Sequence, residues 1–157
     1  MKRWITCLLG LLVLAGTTAG SFQSGNEILG IWKTYDKQGK LESTIEIYKE
    51  KNEYCAKIAS LTEPNWPAND DQGMAGKAKN DRHNPNADLR SRPIVGLQIM
   101  HGFTYNPGKN VWEDGRVYDP GCGKTYKCKF TLVTSNKLEV RGYVGISLLG
   151  RTETWTR

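Results

Sequence analysis

The chain has 157 residues, a formal net charge of +6 and 24% charged residues. That length supports one domain around one core. The basic excess is mild and lacks the dense Lys/Arg stripe of a nucleic-acid binder, so no nucleic-acid partner is expected.

Residues 1–20, "MKRWITCLLGLLVLAGTTAG", come first. Lys2 and Arg3 precede an apolar run at 7–15, and Thr18, Ala19 and Gly20 supply small residues ahead of Ser21. This is the pattern of a secretory signal peptide. The run falls short of the roughly 20 apolar residues that span a bilayer. A lipoprotein signal would place a cysteine where Thr17 stands. The expected mature protein is therefore residues 21–157: one exported domain, periplasmic or secreted, without a transmembrane segment. Losing Lys2 and Arg3 takes the net charge from +6 to about +4, which supports a weak preference for anionic surfaces.

Beyond residue 20 the apolar segments are short, alternating and rich in Ile, Val, Thr, Tyr and Trp, with Gly, Pro, Asn or Asp at their ends. Strands are predicted at 27–34, 42–49, 53–61, 94–103, 111–112, 116–118, 124–133, 138–144 and 149–156. Tight turns such as "DKQGK" and "NPGKN" join most of them. The fold class is all-β: a single antiparallel up-and-down barrel of eight or nine strands, closed because closure removes exposed edges. Such a barrel is either filled by side chains or shaped around one small ligand. Leu138, Val140, Gly142 and Val144 share the inward face, as do Tyr126, Cys128, Phe130 and Leu132. Gly96 and Gly142 are expected to leave space inside or to mark sharp barrel corners.

One segment interrupts the pattern. Residues 62–93 are polar throughout, long for a loop in a compact domain, and read either as a functional segment or as a mobile lid. Trp66 and Met74 within it, with Tyr105 and Trp112, are the candidate ligand-binding residues at the barrel mouth, since small-ligand sites are mostly apolar. At the other extreme "GYVGISLLG" forms an uncharged hairpin. Its Ile146 and Leu148 either fold back to plug a barrel end or form an exposed patch, and the plug is the preferred reading.

Several chemistries are disfavoured. "GCGKT" at 121–125 lacks the earlier glycine of a phosphate loop and leads into a strand, so it reads as a turn. His83 and His101 share no zinc spacing with each other or with a cysteine, and "NDDQG" does not fit a calcium loop; no metal or cofactor is expected. Asp36, Glu113, Asp114, Asp119 and Glu153 are the carboxylates available for hydrolysis, but turns account for Asp36, Asp114 and Asp119. Cys55, Cys122 and Cys128 remain after export. A strand holds Cys122 and Cys128 too far apart to bridge. Any bridge therefore uses Cys55, with Cys122 the favoured partner because Cys128 has buried parity.

"GIWKT", "SRPIVGL", "YDPGCGKTYKCK" and "VRGYVGISLLGRTETWTR" resemble the exported bacterial proteins grouped as domain of unknown function 2147. The resemblance implies a lipocalin-like β-barrel and no catalytic assignment. It also implies a closure device: Gly30 and Trp32 at the closed end, with Arg157 or Arg151 stacked over the indole. By alternation Arg151, Glu153, Trp155 and Arg157 share a face, where an ion-pair row would flank Trp155.

Three functions follow as expectations. The first is a binding module that takes a small apolar or amphipathic ligand at the barrel mouth. The alternative is an envelope protein with a filled barrel, whose loop cations Lys77, Lys79, Arg82, Arg90 and Arg92 meet an anionic surface. A carboxylate-dependent hydrolase is third, and an enzyme is not the expected answer.

Overall fold

The structure, a computed structural model, describes residues 24–157; the signal peptide expected at 1–20 lies outside them. Nine strands follow in order: β1 (Gly30–Tyr35), β2 (Leu41–Glu50), β3 (Glu53–Leu61), β4 (Gln98–Asn106), β5 (Val111–Glu113), β6 (Arg116–Asp119), β7 (Lys124–Thr134), β8 (Lys137–Tyr143) and β9 (Arg151–Thr156). All pairings are antiparallel. β1 pairs with both β2 and β9, and β3 pairs with β4, so the sheet closes into a barrel. Both β5 and β6 lie between β4 and β7, so nine strands occupy eight positions.

The break between β5 and β6 has a local cause. Asp114 adopts φ 70°, and a side chain on Gly115 would run into the Phe103 ring. Only glycine lets this wall turn so close to the core.

Three predicted strands begin later than expected. Residues 26–28 form a 3-10 turn (Asn26–Ile28) with buried Ile28, and β1 starts only at Gly30, whose φ is 111°. Likewise β4 starts at Gln98, because Gly96 (φ 86°) bends the preceding residues into a turn. The last strand also starts late: Ser147–Leu149 is a 3-10 turn ahead of β9. In each case apolar periodicity continues through a turn that buries its side chains by other means or, in the last case, leaves them exposed.

Residues 62–93 are ordered and not a loose lid. Asn65 bridges Ala78, and Asn80 bridges Pro93. At the centre is Asp81, fully buried, which accepts from Tyr118 Oη at 2.6 Å, Asn84 Nδ2 at 2.8 Å and Arg92 Nε at 2.9 Å. A buried carboxylate is tolerated only when its lone pairs are met in this way. Gly123 completes the attachment: it packs against the His83 carbonyl where no side chain would fit, at φ 69°. The loop is thereby fastened to β6 and to the turn before β7.

Candidate functional site

The barrel has one sealed end and one open end. At the sealed end Trp32 and Trp112 are fully buried. Each indole N–H donates to the N-terminal turn, Trp32 to the Ile28 carbonyl at 2.7 Å and Trp112 to the Gly25 carbonyl at 3.0 Å. The Arg157 guanidinium sits 4.5 Å over the Trp32 ring. It donates to the carbonyls of Glu27 at 2.9 Å, Leu29 at 3.2 Å and Ser135 at 2.7 Å. One cation thus holds the N-terminal turn, β1 and the β7–β8 turn together.

Toward the other end the interior is hollow. A cavity of about 1130 Å³ reaches from buried Ile45, Ile58, Met100 and Trp155 out to the β1–β2, β6–β7 and β8–β9 connections. Small-ligand pockets commonly enclose about 300–1,000 Å³, so this volume admits a ligand of ordinary size. Gly142 lines the cavity, and a side chain placed there would meet nothing within 4 Å. The missing side chain is part of why the barrel is hollow.

Polarity changes along the cavity. Its depth is aliphatic and aromatic, apart from the Thr34 and Ser43 hydroxyls, 2.6 Å from each other. Its rim is charged: Lys40 pairs with Glu63 at 2.9 Å, and Lys79, His83, Arg151 and Glu153 stand around the opening. The Lys40 hydrogen bond holds the Glu63 carboxyl below its ordinary value and raises the Lys40 ammonium. Trp66 forms part of the wall. Its ring is held by the Arg82 guanidinium 3.1 Å from the ring centre and by an N–H bond to Asn80 Oδ1 at 3.0 Å. Arg82 in turn is fixed by Asp70 at 2.6 Å, both side chains nearly buried.

A family model described as "uncharacterized protein conserved in bacteria (DUF2147)" matches residues 30–157. The chain belongs to the DUF2147 family. Among solved structures, this DUF2147 protein is similar to HP1028 from the human pathogen Helicobacter pylori, which is described as belonging to the lipocalin family. Identity is 27% and the TM-score 0.66, over 82% of this chain and 81% of that one. A redesigned β-barrel also aligns, with 13% identity and a TM-score of 0.43, over 84% of this chain and 92% of that one. No curated protein matches.

The residues singled out in the sequence of this DUF2147 protein divide between the two ends. Trp66 lines the cavity, but Trp112 and Tyr105 do not. They pack against each other at the sealed end, ring centres 4.7 Å apart and planes tilted by 37°. Met74 stays within the loop, its N–H bonded to Asp70, away from the cavity wall. Arg157 rather than Arg151 covers Trp32; Arg151 belongs to the open rim. Trp155 is a buried wall residue, and its indole N–H has no hydrogen-bond acceptor. Among the described residues no ion-pair row joins Arg151, Glu153 and Arg157, because Arg157 is turned onto backbone carbonyls.

The expected Cys55–Cys122 bridge is not formed: all three cysteines from Cys55 onward are free, with Cys55 and Cys128 buried and Cys122 exposed. Cys122 faces Asp119 Oδ2 at 3.2 Å and Tyr126 Oη at 3.5 Å. Burial pushes the Cys128 thiol up to about 12.

Three of the five candidate carboxylates have structural tasks. Asp36 caps its own turn by accepting from the Gln38 and Lys40 amides, and Asp119 does the same for Gly121. Glu113 is held by Asn106 at 2.7 Å and Lys109 at 3.1 Å. The plug expected from residues 144–150 is absent as well. Val144, Ile146, Leu148 and Leu149 are 72%, 61%, 80% and 78% exposed. Arg141 holds this hairpin outward by donating to the Ser147 and Leu148 carbonyls at 2.7 and 3.0 Å.

Proposed function

We propose that this protein is a carrier or receptor for a small amphipathic molecule, whose apolar portion lies in the barrel and whose polar group meets the charged rim. The observation that carries this reading is the cavity itself, aliphatic at depth and ionic at the mouth. A filled eight-stranded barrel would have no such space. The likeness to a protein described as a lipocalin family member supports a small-ligand role of this general kind. Export by the segment at 1–20 is part of the proposal, and N-terminal sequencing of protein recovered from a periplasmic fraction checks it.

The filled-barrel alternative loses its footing in two places. The interior is hollow, and the loop cations it relied on are largely committed: Arg82 to Asp70, Arg92 to Asp81, and Arg90 to the Asn84 carbonyl.

Gly142→Leu tests the pocket directly, because the new side chain would occupy empty space in a strand that tolerates it. The unaltered protein should bind a fluorescent long-chain carboxylate with a blue-shifted emission. The variant should lose most of that binding with its circular dichroism unchanged. Equal binding by both proteins would remove the barrel interior as the site.

A further inference from the structure

The apolar hairpin beside the cavity mouth has a second feature that gives it meaning. Monomeric proteins seldom expose large apolar side chains as a cluster unless something covers them. Here Val144, Ile146, Leu148 and Leu149 project together, and Val144 and Leu149 also border the cavity opening. Behind this tip the outer wall is basic. Tyr143, at the base of the hairpin, pairs with Lys127, and Lys127 pairs with Arg116 on the next strand. Since strand partners point to the same side of a sheet, Lys127 and Arg116 stand in one row on the solvent face. Arg141 lies one step further down that face, opposite Lys129. Among the described residues, none of Arg116, Lys127 and Arg141 is in an ion pair.

We propose that the 144–150 hairpin is a membrane-docking tip: its four apolar side chains enter the outer layer of an anionic lipid bilayer while Arg116 and Lys127 rest on the headgroups. The charge pattern commits the site to lipid. A protein partner or second copy would need an acidic collar around an apolar pocket, whereas an anionic bilayer supplies negative charge and hydrocarbon at once. Arg141 keeps the tip rigid, so little ordering entropy opposes insertion. The tip does not depend on the pocket reading, since it needs only the hairpin and the basic wall.

Sedimentation with vesicles tests it, using the chain from residue 24 onward. That portion contains the whole closed barrel and leaves out the apolar run at 7–15. Vesicles of equal parts phosphatidylglycerol and phosphatidylcholine should bind the protein in low salt and release part of it in high salt. Leu148→Ser with Leu149→Ser, both at exposed positions, should weaken binding at least about tenfold. Lys127→Gln with Arg116→Gln should weaken it roughly tenfold on these vesicles and not on pure phosphatidylcholine. Failure of the unaltered protein to bind, or full retention by the leucine variant, overturns the proposal. So does a dimer in sedimentation velocity that the leucine variant dissolves, because the tip would then serve a second copy. Carboxylate-probe binding in vesicle-free buffer reports on the pocket separately.

Discussion

Arg157 lies over the Trp32 ring, 4.5 Å from its centre, and binds the carbonyls of the turn that Trp32 itself caps. A cation on an indole face contributes about 0.5–2 kcal/mol, and each hydrogen bond a further fraction. Arg157→Ala should therefore lower unfolding stability by about 2 kcal/mol in denaturant titrations. Arg151→Ala, at the open rim, should change it by less than about 0.5 kcal/mol. Equal effects from the two would show that the closure device is misplaced.

Asp81 is the second structural keystone. Removing it leaves the Tyr118 hydroxyl, the Asn84 amide and the Arg92 guanidinium without their shared acceptor. Asp81→Ala should cost about 3 kcal/mol, and Asp81→Asn less, since the amide oxygen still accepts. Hydrogen exchange would show residues 62–93 losing protection ahead of the barrel strands. Protection that survives the substitution would mean the loop is held by something else.

Alkali should weaken the fold through the same cluster. Burial, and then the hydrogen bond to Asp81, push the Tyr118 phenol from 10 up to about 12. The folded state keeps a proton that the unfolded chain releases, so this stabilisation is complete below pH 10 and is lost as pH rises toward 12. Cys128 acts in the same direction, from 9 to about 12, because of its burial. Tyr118→Phe should flatten the fall in stability between pH 10 and 12 measured by denaturant midpoints. An unchanged slope would exclude Tyr118 as the group responsible.

Thiol chemistry separates the three cysteines from Cys55 onward. Cys122 is exposed, whereas Cys55 and Cys128 are buried and their thiols are shifted upward, chiefly by desolvation. Iodoacetamide on the folded chain from residue 24 onward, near neutral pH, should add one label, and Cys122→Ser should abolish it. Label on Cys128 without denaturant would contradict its burial.

The barrel was legible in the sequence because alternation along strands such as β7 and β8 reports which side chains face inward, and tight turns leave few topologies. Position along the barrel axis is a different matter. Period-two alternation places Trp112 inside, but says nothing about whether it sits at the mouth or the sealed end. Trp66 and Trp112 therefore looked alike, and only three-dimensional register separates them. The order within 62–93 was hidden for another reason. Its stability comes from one buried carboxylate and the donors around it, and polar composition has the same appearance whether such groups are solvated or paired. The hairpin at 144–150 misled in the opposite direction. Apolar side chains there suggested burial, yet Arg141 fixes the backbone so that they face out.

The pairing of β1 with β9 also constrains the order in which the chain can assemble. The bond from Arg157 to Leu29 spans 128 residues, while most other strand pairs are local hairpins. Local hairpins form early and distant contacts late, since loop-closure entropy opposes them. Until the ends meet, β1 and β9 are bare edges able to pair with a neighbouring chain. Misassembly during folding should therefore begin at that seam, and a slow final phase should report its closing.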